Sequence, residues 1–160
     1  MGDKGDYPFF DPWVMILPGK MCQEEEDEMY AGLMGKSEMM VQENDLVSRL
    51  GGVAVDVLST PRLIQLMEAA AIEAIREFLQ PGQMSLGTLI KIRHLSATPL
   101  GMKVTAHAIL KEVDQKRLLF WIDAHDEIEK VAEGEHERVL VSRARFLERI
   151  EKKKNRSPTP

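Results

Sequence analysis

The feature that most constrains the fold of this chain is a change in hydrophobic period near residue 80. Before it, the stretch STPRLIQLMEAAAIEAI, residues 59 to 75, has apolar residues at the three- and four-residue spacing of an amphipathic helix. A hydroxyl residue followed by proline marks the start of a helix, and the later QPGQ segment marks its end. The pattern therefore predicts one long helix from Pro61 to Leu79.

After this helix, apolar and polar residues alternate, which is typical of strands with one solvated face. The alternation covers SLGTLIKIRHLSATP, MKVTAHAILKEV, RLLFWIDAHDE and the long stretch KVAEGEHERVLVSRARFLE, and short turns separate these segments. A weaker signal predicts a first strand from Ser37 to Val41 ahead of the helix. The residues predicted to face inward are Ile90, Ile92, His94, Val104, Ala106, Ala108, Leu110, Leu118, Phe120, Ile122, Ala124, Ala132, Gly134, His136, Arg138 and Leu140.

Short turns join antiparallel strands, whereas parallel strands need crossover connections that this sequence lacks. The chain is therefore predicted to have an α+β fold, with one helix against an antiparallel sheet. A single helix covers only part of a sheet, so the other face and the strand edges favour a homodimer.

Length and charge limit the possible functions. With 160 residues and 44% apolar content, the chain is long enough for one domain with a real core. Its net charge of -5 argues against a nucleic-acid-binding protein, because the strong basic run ERIEKKKNR lies at the C-terminus and resembles a solvated tail. We expect no nucleic-acid partner.

The sequence also favours a cytoplasmic protein without a membrane anchor. It has no apolar stretch of the length that spans a bilayer, and acidic residues precede the apolar segment PWVMILPGKMC where a signal peptide needs basic ones. The single cysteine, Cys22, cannot form an intramolecular disulfide, which fits a reducing compartment.

Three reactive side chains fall on faces that are predicted to point inward. Glu68 lies at the flank of the apolar helix face, Thr60 lies at the helix start, and His94 ends the first apolar strand row. Each has a structural explanation: Thr60 as a plain helix cap, Glu68 as an ion-pair partner of Arg138, and His94 as a hydrogen-bonded core residue. Together, however, a carboxylate, an imidazole and a hydroxyl supply a base or nucleophile, a proton carrier and an orienting donor.

Glycine and histidine positions refine this interpretation. Gly87 opens a strand, so its backbone N–H can approach a developing oxyanion closely. His107 and His125 fall on solvent-side positions, and the segment EHER has no known metal-ligand spacing, so we expect no metal site.

The motifs STPRLIQLMEAAA, PGQMSLGTLIKIRHLSATPLG, VDQKRLLFWIDAHDE and GEHERVLV resemble the fluoroacetyl-CoA thioesterase-like family of hot-dog fold acyl-CoA thioesterases. The resemblance covers residues 33 to 148, leaving residues 1 to 32 as an N-terminal extension and 149 to 160 as a charged tail. It implies a long helix wrapped by a curved antiparallel sheet, and a homodimer or higher oligomer with active sites close to the interface.

The resemblance also implies site residues and a reaction, the hydrolysis of an acyl-CoA to a carboxylate and CoA. The catalytic residues would be Thr60, which orients, Glu68, which is base or nucleophile, and His94, which transfers protons. Gly87 and Arg138 would contact the substrate, and no cofactor is implied because CoA is part of the substrate.

One difference from the family concerns the acyl group. Members that are specific for fluoroacetyl-CoA have an aromatic lid before the threonine, whereas this chain has VAVDVLST there. We therefore expect a small or medium acyl-CoA. The alternatives are a non-catalytic acyl-CoA-binding module, acting as a sensor or carrier, and, ranked last, a hot-dog hydratase or dehydratase.

Overall fold

The computed structural model describes residues 28–51 and 53–156. Its strands are β1 (Met34–Met40), β2 (Gln83–His94), β3 (Lys103–Asp114), β4 (Arg117–Asp126) and β5 (Lys130–Ser142). The helices are α1 (Thr60–Ile75) and α2 (Arg143–Lys154), with short 3-10 turns at Glu43–Asp45, Val47–Leu50 and Arg76–Phe78. Cys22 and most of the predicted N-terminal extension lie outside the described residues.

The strands form one five-stranded sheet in the order β1-β3-β4-β5-β2, and each neighbouring pair is antiparallel. The connection between β3 and β4 is a tight turn, in which Gln115 has a φ of 53°. The predicted antiparallel arrangement is thus confirmed, and β2, although it precedes β3 in the chain, lies at the far edge of the sheet.

Helix α1 packs mainly on β1 and β3. Gly35 permits this close approach, because a Cβ there would lie 2.1 Å from the Ala70 carbonyl oxygen and 2.4 Å from the Ala74 nitrogen. The inward rows predicted for β3 and β4 are all buried: Val104, Ala106, Ala108, Leu110, Leu118, Phe120, Ile122 and Ala124. They form the core with the buried face of α1, namely Leu63, Leu66, Met67, Ala70, Ala71, Ala74 and Ile75.

Three predictions about the ends of elements need correction. The helix predicted from Pro61 to Leu79 runs from Thr60 to Ile75, where the backbone leaves α-helical geometry and the 3-10 turn Arg76–Phe78 follows. The alternation was expected to continue as a strand to residue 148, but β5 ends at Ser142 and α2 follows it. In α2 the apolar residues Phe146 and Ile150 are four positions apart among good helix formers, and this helical spacing overrides the short alternation before it. The first strand, predicted from Ser37 to Val41, runs from Met34 to Met40.

Among the described residues, no helix combines the length and the apolarity needed to cross a membrane.

Candidate active site

Thr60 and His94 form a hydroxyl–imidazole pair. The Thr60 Oγ1 and His94 Nδ1 atoms are 2.9 Å apart, which is hydrogen-bonding distance. Thr60 is the first residue of α1, Ser59 is at the capping position, and no side-chain cap bond is made there. The hydroxyl of Thr60 therefore contacts the histidine, and the interpretation of Thr60 as a plain helix cap does not hold.

The surroundings of His94 favour its neutral form. Burial lowers the pKa of His94, and the Ser96 backbone acts in the opposite direction. The Nε2 atom is buried and has no hydrogen-bond partner in the described part of the chain. A neutral imidazole at hydrogen-bonding distance from a hydroxyl can accept its proton, so the pair is suited to proton transfer.

A shallow pocket lies beside this pair. Its volume is about 330 Å³, and Thr60 and His94 contribute to its wall. The other lining residues are Val47, Val57, Leu58, Leu95, Ser96 and Ala97. This mainly aliphatic lining suits an apolar group of limited size.

Glu68 lies further along the same helix, beside β2 and β5. Its Oε1 atom is 3.7 Å from Arg138 Nη1 and 3.7 Å from His136 Nε2. We expected Glu68 to be largely buried, but its side chain is 35% exposed, because it projects from the flank of α1 rather than from the face against β1 and β3. The carboxylate therefore has a cationic partner and is also open to solvent.

Gly87 brings backbone next to this carboxylate. A Cβ on Gly87 would lie 2.7 Å from Glu68 Oε1 and 3.1 Å from His136 Cε1, whereas Gly87 itself is exposed. Only a glycine leaves room here for the carboxylate and for an incoming group at the same time.

Behind Glu68 lies a buried polar network centred on Arg138, which is only 4% exposed. Arg138 donates from Nε to Ser85 Oγ at 3.0 Å and from Nη2 to the Ser85 carbonyl oxygen at 3.1 Å, and its Nη1 is 3.0 Å from His136 Nε2. Burial lowers the pKa of Arg138, while the negative charge of Glu68 raises it. The guanidinium is thus held rigidly at the back of the site, with its charge directed at Glu68.

A β-bulge in β2 places Gly87 and His94 on the same face of the sheet. Gly87 pairs with Arg138 and Leu89 pairs with Glu137, so Thr88 is an extra residue in β2. Before the bulge, odd-numbered residues such as Ser85 face inward, and after it even-numbered residues such as His94 do. Strict alternation would place Gly87 and His94 on opposite faces.

Within one chain the predicted site residues form two groups. Thr60 and His94 are in contact, and Glu68, Gly87 and Arg138 are together. Among the described residues no hydrogen bond or ion pair joins the groups, and the eight positions from Thr60 to Glu68 correspond to about 12 Å along α1. The expected convergence of Thr60, Glu68 and His94 on one cavity is therefore not seen in a single chain, and their catalytic roles stay predictions.

Sequence reasoning missed the residue that fixes the start of α1. Asp45, which is 5% exposed, accepts a hydrogen bond from Arg62 Nε at 2.6 Å and one from the Gln42 N–H at 2.8 Å. Its carbonyl oxygen accepts from the Ser59 N–H at 2.8 Å. The carboxylate thus ties the loop before α1 to the helix that presents Thr60, and no pattern in the sequence identifies it as buried.

His107 and His125 lie on the solvent side of β3 and β4, as predicted, and both lie near Asp123. In residues 28–51 and 53–156, no group of three or more His, Cys, Asp and Glu side chains has an arrangement that could hold a metal ion.

Comparison with known proteins gives consistent results. The sequence model of a family described as fluoroacetyl-CoA-specific thioesterase matches residues 41–144. The chain is 37% identical over 98 residues to the fluoroacetyl-CoA thioesterase of Streptantibioticus cattleyicolor, and the match covers 61% of this chain and 70% of that protein.

Comparison with solved structures points to the same family and fold. The fluoroacetyl-CoA thioesterase FlK superposes with a TM-score of 0.75 at 30% identity, over 82% of this chain and 100% of that one. A thioesterase superfamily member from Thermus thermophilus gives a TM-score of 0.75 at 24% identity, over 80% and 95% of the two chains, and supports the fold alone.

Proposed function

The chain belongs to the fluoroacetyl-CoA-specific thioesterase family and is a thioester hydrolase, and we propose that it cleaves a small or medium acyl-CoA at Glu68 and Gly87. The observation that carries this assignment is the placement of a partly exposed carboxylate against an open glycine backbone, backed by a buried guanidinium. A flat thioester fits such a slot, since nothing but hydrogen projects from Gly87.

In the proposed reaction, Glu68 either removes a proton from an attacking water or attacks the thioester carbonyl itself. Attack forms a C–O bond and an oxyanion, which the Gly87 N–H stabilises. When the C–S bond breaks, the CoA thiolate leaves and takes up a proton, for which His94 is the carrier and Thr60 the orienting hydroxyl. If Glu68 attacks, the mixed anhydride that remains on it is hydrolysed by water in a second step, which breaks the anhydride C–O bond and regenerates the Glu68 carboxylate. In both routes the water that is consumed supplies the net proton for the thiolate, the products are a carboxylate and CoA, and no cofactor takes part.

The acyl group is proposed to be aliphatic. The pocket beside Thr60 and His94 is lined largely by aliphatic side chains, and residues 53 to 58 contain no aromatic residue. A pocket of about 330 Å³ accommodates a short or medium acyl chain.

A thiol-release assay tests this function. The purified protein is incubated with acyl-CoAs from acetyl to dodecanoyl and with fluoroacetyl-CoA, and kcat/KM is measured for each. We expect turnover to be greatest for a short or medium chain and to fall at dodecanoyl. Saturable binding without thiol release would support the acyl-CoA-binding module, and release limited to fluoroacetyl-CoA would overturn the proposed substrate class.

The oligomer we propose is a homodimer formed along β2. Within the described chain, this strand of 12 residues pairs on one side with β5, so its other edge is available. Because Thr88 is a bulge residue, Gly87 and His94 are six ladder positions, or about 20 Å, apart along the strand. If two β2 strands pair in antiparallel fashion about a two-fold axis near Lys91, each Gly87 comes beside the other chain's His94. This pairing would combine the two groups of site residues into one composite site.

Complementation between two inactive variants tests the composite site. Glu68→Gln and His94→Ala chains are co-expressed with different tags, and the heterodimer is purified through both tags. Since one of its two sites would contain neither substitution, we expect the heterodimer to recover about half of the unmodified activity. An inactive heterodimer would place each site within one chain, and a monomer in analytical ultracentrifugation would overturn the dimer.

We further propose that the protein acts in the cytoplasm, on the basis of its single cysteine.

A further inference from the structure

We propose that His136 is a positioning residue for hydrolysis, which ties the β2 bulge to Arg138 and so sets the distance between Gly87 and Glu68. The inference rests on the thioester hydrolysis proposed above. His136 is 1% exposed, too deeply buried to touch a substrate, and it acts through its neighbours.

The hydrogen bonds of His136 specify one tautomer. Nδ1 is 2.8 Å from the Leu89 carbonyl oxygen, which can only accept, so Nδ1 carries the proton. Nε2 is 3.0 Å from Arg138 Nη1, which can only donate, so Nε2 presents its lone pair. Both bonds form only when the ring is neutral with its proton on Nδ1.

The charges around the ring agree with this tautomer. Burial lowers the pKa of His136, and the positive charge of Arg138 lowers it further, whereas the Leu89 hydrogen bond and the charge of Glu68 raise it. A proton on Nε2 would face the guanidinium and break the bond to Arg138. The ring of Phe120, with its centroid 6.3 Å away, adds no charge.

The two hydrogen-bond partners of His136 lie on the two sides of the proposed site. Leu89 directly follows the bulge residue Thr88, so the bond to its carbonyl fixes the position where β2 leaves regular pairing next to Gly87. Arg138 is the cation nearest to Glu68. One buried ring thus connects the backbone that receives the thioester with the charge that holds the carboxylate.

Two substitutions of His136 each keep one of its two hydrogen bonds and remove the other. In His136→Asn the amide nitrogen can take the place of Nδ1 and donate to the Leu89 carbonyl oxygen. The side chain is too short to accept a hydrogen bond from Arg138, so that bond is lost. In His136→Gln the amide oxygen can take the place of Nε2 and accept a hydrogen bond from Arg138. No group of the side chain then donates to the Leu89 carbonyl oxygen, so that bond is lost. We expect each variant to lose about 10²-fold in kcat, because displacements of about 1 Å at a reacting centre have effects of this size. KM should change much less.

A double-mutant cycle makes the assignment specific. In an Arg138→Met background, the Asn substitution removes a bond that is already lost, so it should lower kcat no further, whereas the Gln substitution should still lower it. A merely structural role would lower the melting temperature of each variant and leave kcat per folded enzyme unchanged, which would overturn the proposal. Equal effects of Asn in both backgrounds would also overturn it.

The tautomer is measured separately from turnover. Imidazole ¹⁵N NMR of the unmodified protein at pH 7 should show His136 neutral with the proton on Nδ1, and the opposite tautomer or a charged ring would contradict the inference. Unmodified protein without thioesterase activity would refute the proposed function and leave His136 no hydrolysis to position. Active unmodified protein with fully active His136 variants would refute the positioning role alone.

Discussion

Replacing Glu68 with Gln is expected to lower kcat by about 10³-fold while leaving the fold intact. The amide has nearly the shape of the carboxylate but can neither accept a proton nor attack a thioester, and loss of a base or nucleophile has effects of this order. Measurement uses the best acyl-CoA from the thiol-release assay at saturating concentration.

The stability of the Glu68→Gln variant should change by less than about 1 kcal/mol. Its Oε1 is 3.7 Å from Arg138 and the side chain is 35% exposed, so the screened ion pair contributes little. Arg138 also keeps its bonds to Ser85 and His136. Glu73→Gln, on the same helix and paired with the exposed Arg76, is the matched control and should keep full activity. A Glu68→Gln enzyme within tenfold of the unmodified kcat would refute the catalytic assignment.

Replacing Gly87 with Ala is expected to lower kcat/KM by about 10²-fold. The new methyl group would lie 2.7 Å from Glu68 Oε1, so the carboxylate must move, and it would also occupy the slot proposed for the thioester. Gly87 is exposed and its nearest neighbour is the end of the Glu68 side chain, but the buried His136 ring follows at 3.1 Å, so the free energy of unfolding should fall by about 1 kcal/mol.

Gly35→Ala provides the contrast. There the methyl group would meet helix backbone at 2.1 Å, which cannot move without displacing α1 from β1. We expect a loss of about 3 kcal/mol in urea unfolding, with kcat per folded enzyme retained. If both alanine variants lost stability and kept activity, Gly87 would be a packing residue and not part of the site.

The sequence predicted the elements whose periodicity was long and uniform. Alternation through Val104 to Leu110 and through Leu118 to Ala124 matched the buried rows of β3 and β4, since one face of each strand lies in the core. The helix pattern was sustained enough to locate α1. Helix α2 was missed because three alternating residues after Ser142 continue the strand pattern before the helical spacing begins.

The site was less predictable than the fold. That Glu68 needs a partner follows from its place on the helix, and the suggested Arg138 is that partner at 3.7 Å. The solvent-exposed fraction of the Glu68 side chain could not be predicted, because it depends on the distance between α1 and the strands β2 and β5. The tautomer of His136 likewise depends on Leu89 and Arg138, which come together only when β2 pairs with β5.

The extra residue Thr88 has a consequence for how relatives of this protein are compared. A chain that lost this single position would retain Thr60, Glu68, Gly87 and His94 in the same order. Its β2 would pair regularly with β5, and Gly87 and His94, then six positions apart, would still lie on one face of the sheet. The number of residues between the glycine and the histidine can therefore differ by one among relatives that have the same site, provided that the longer segment contains the bulge.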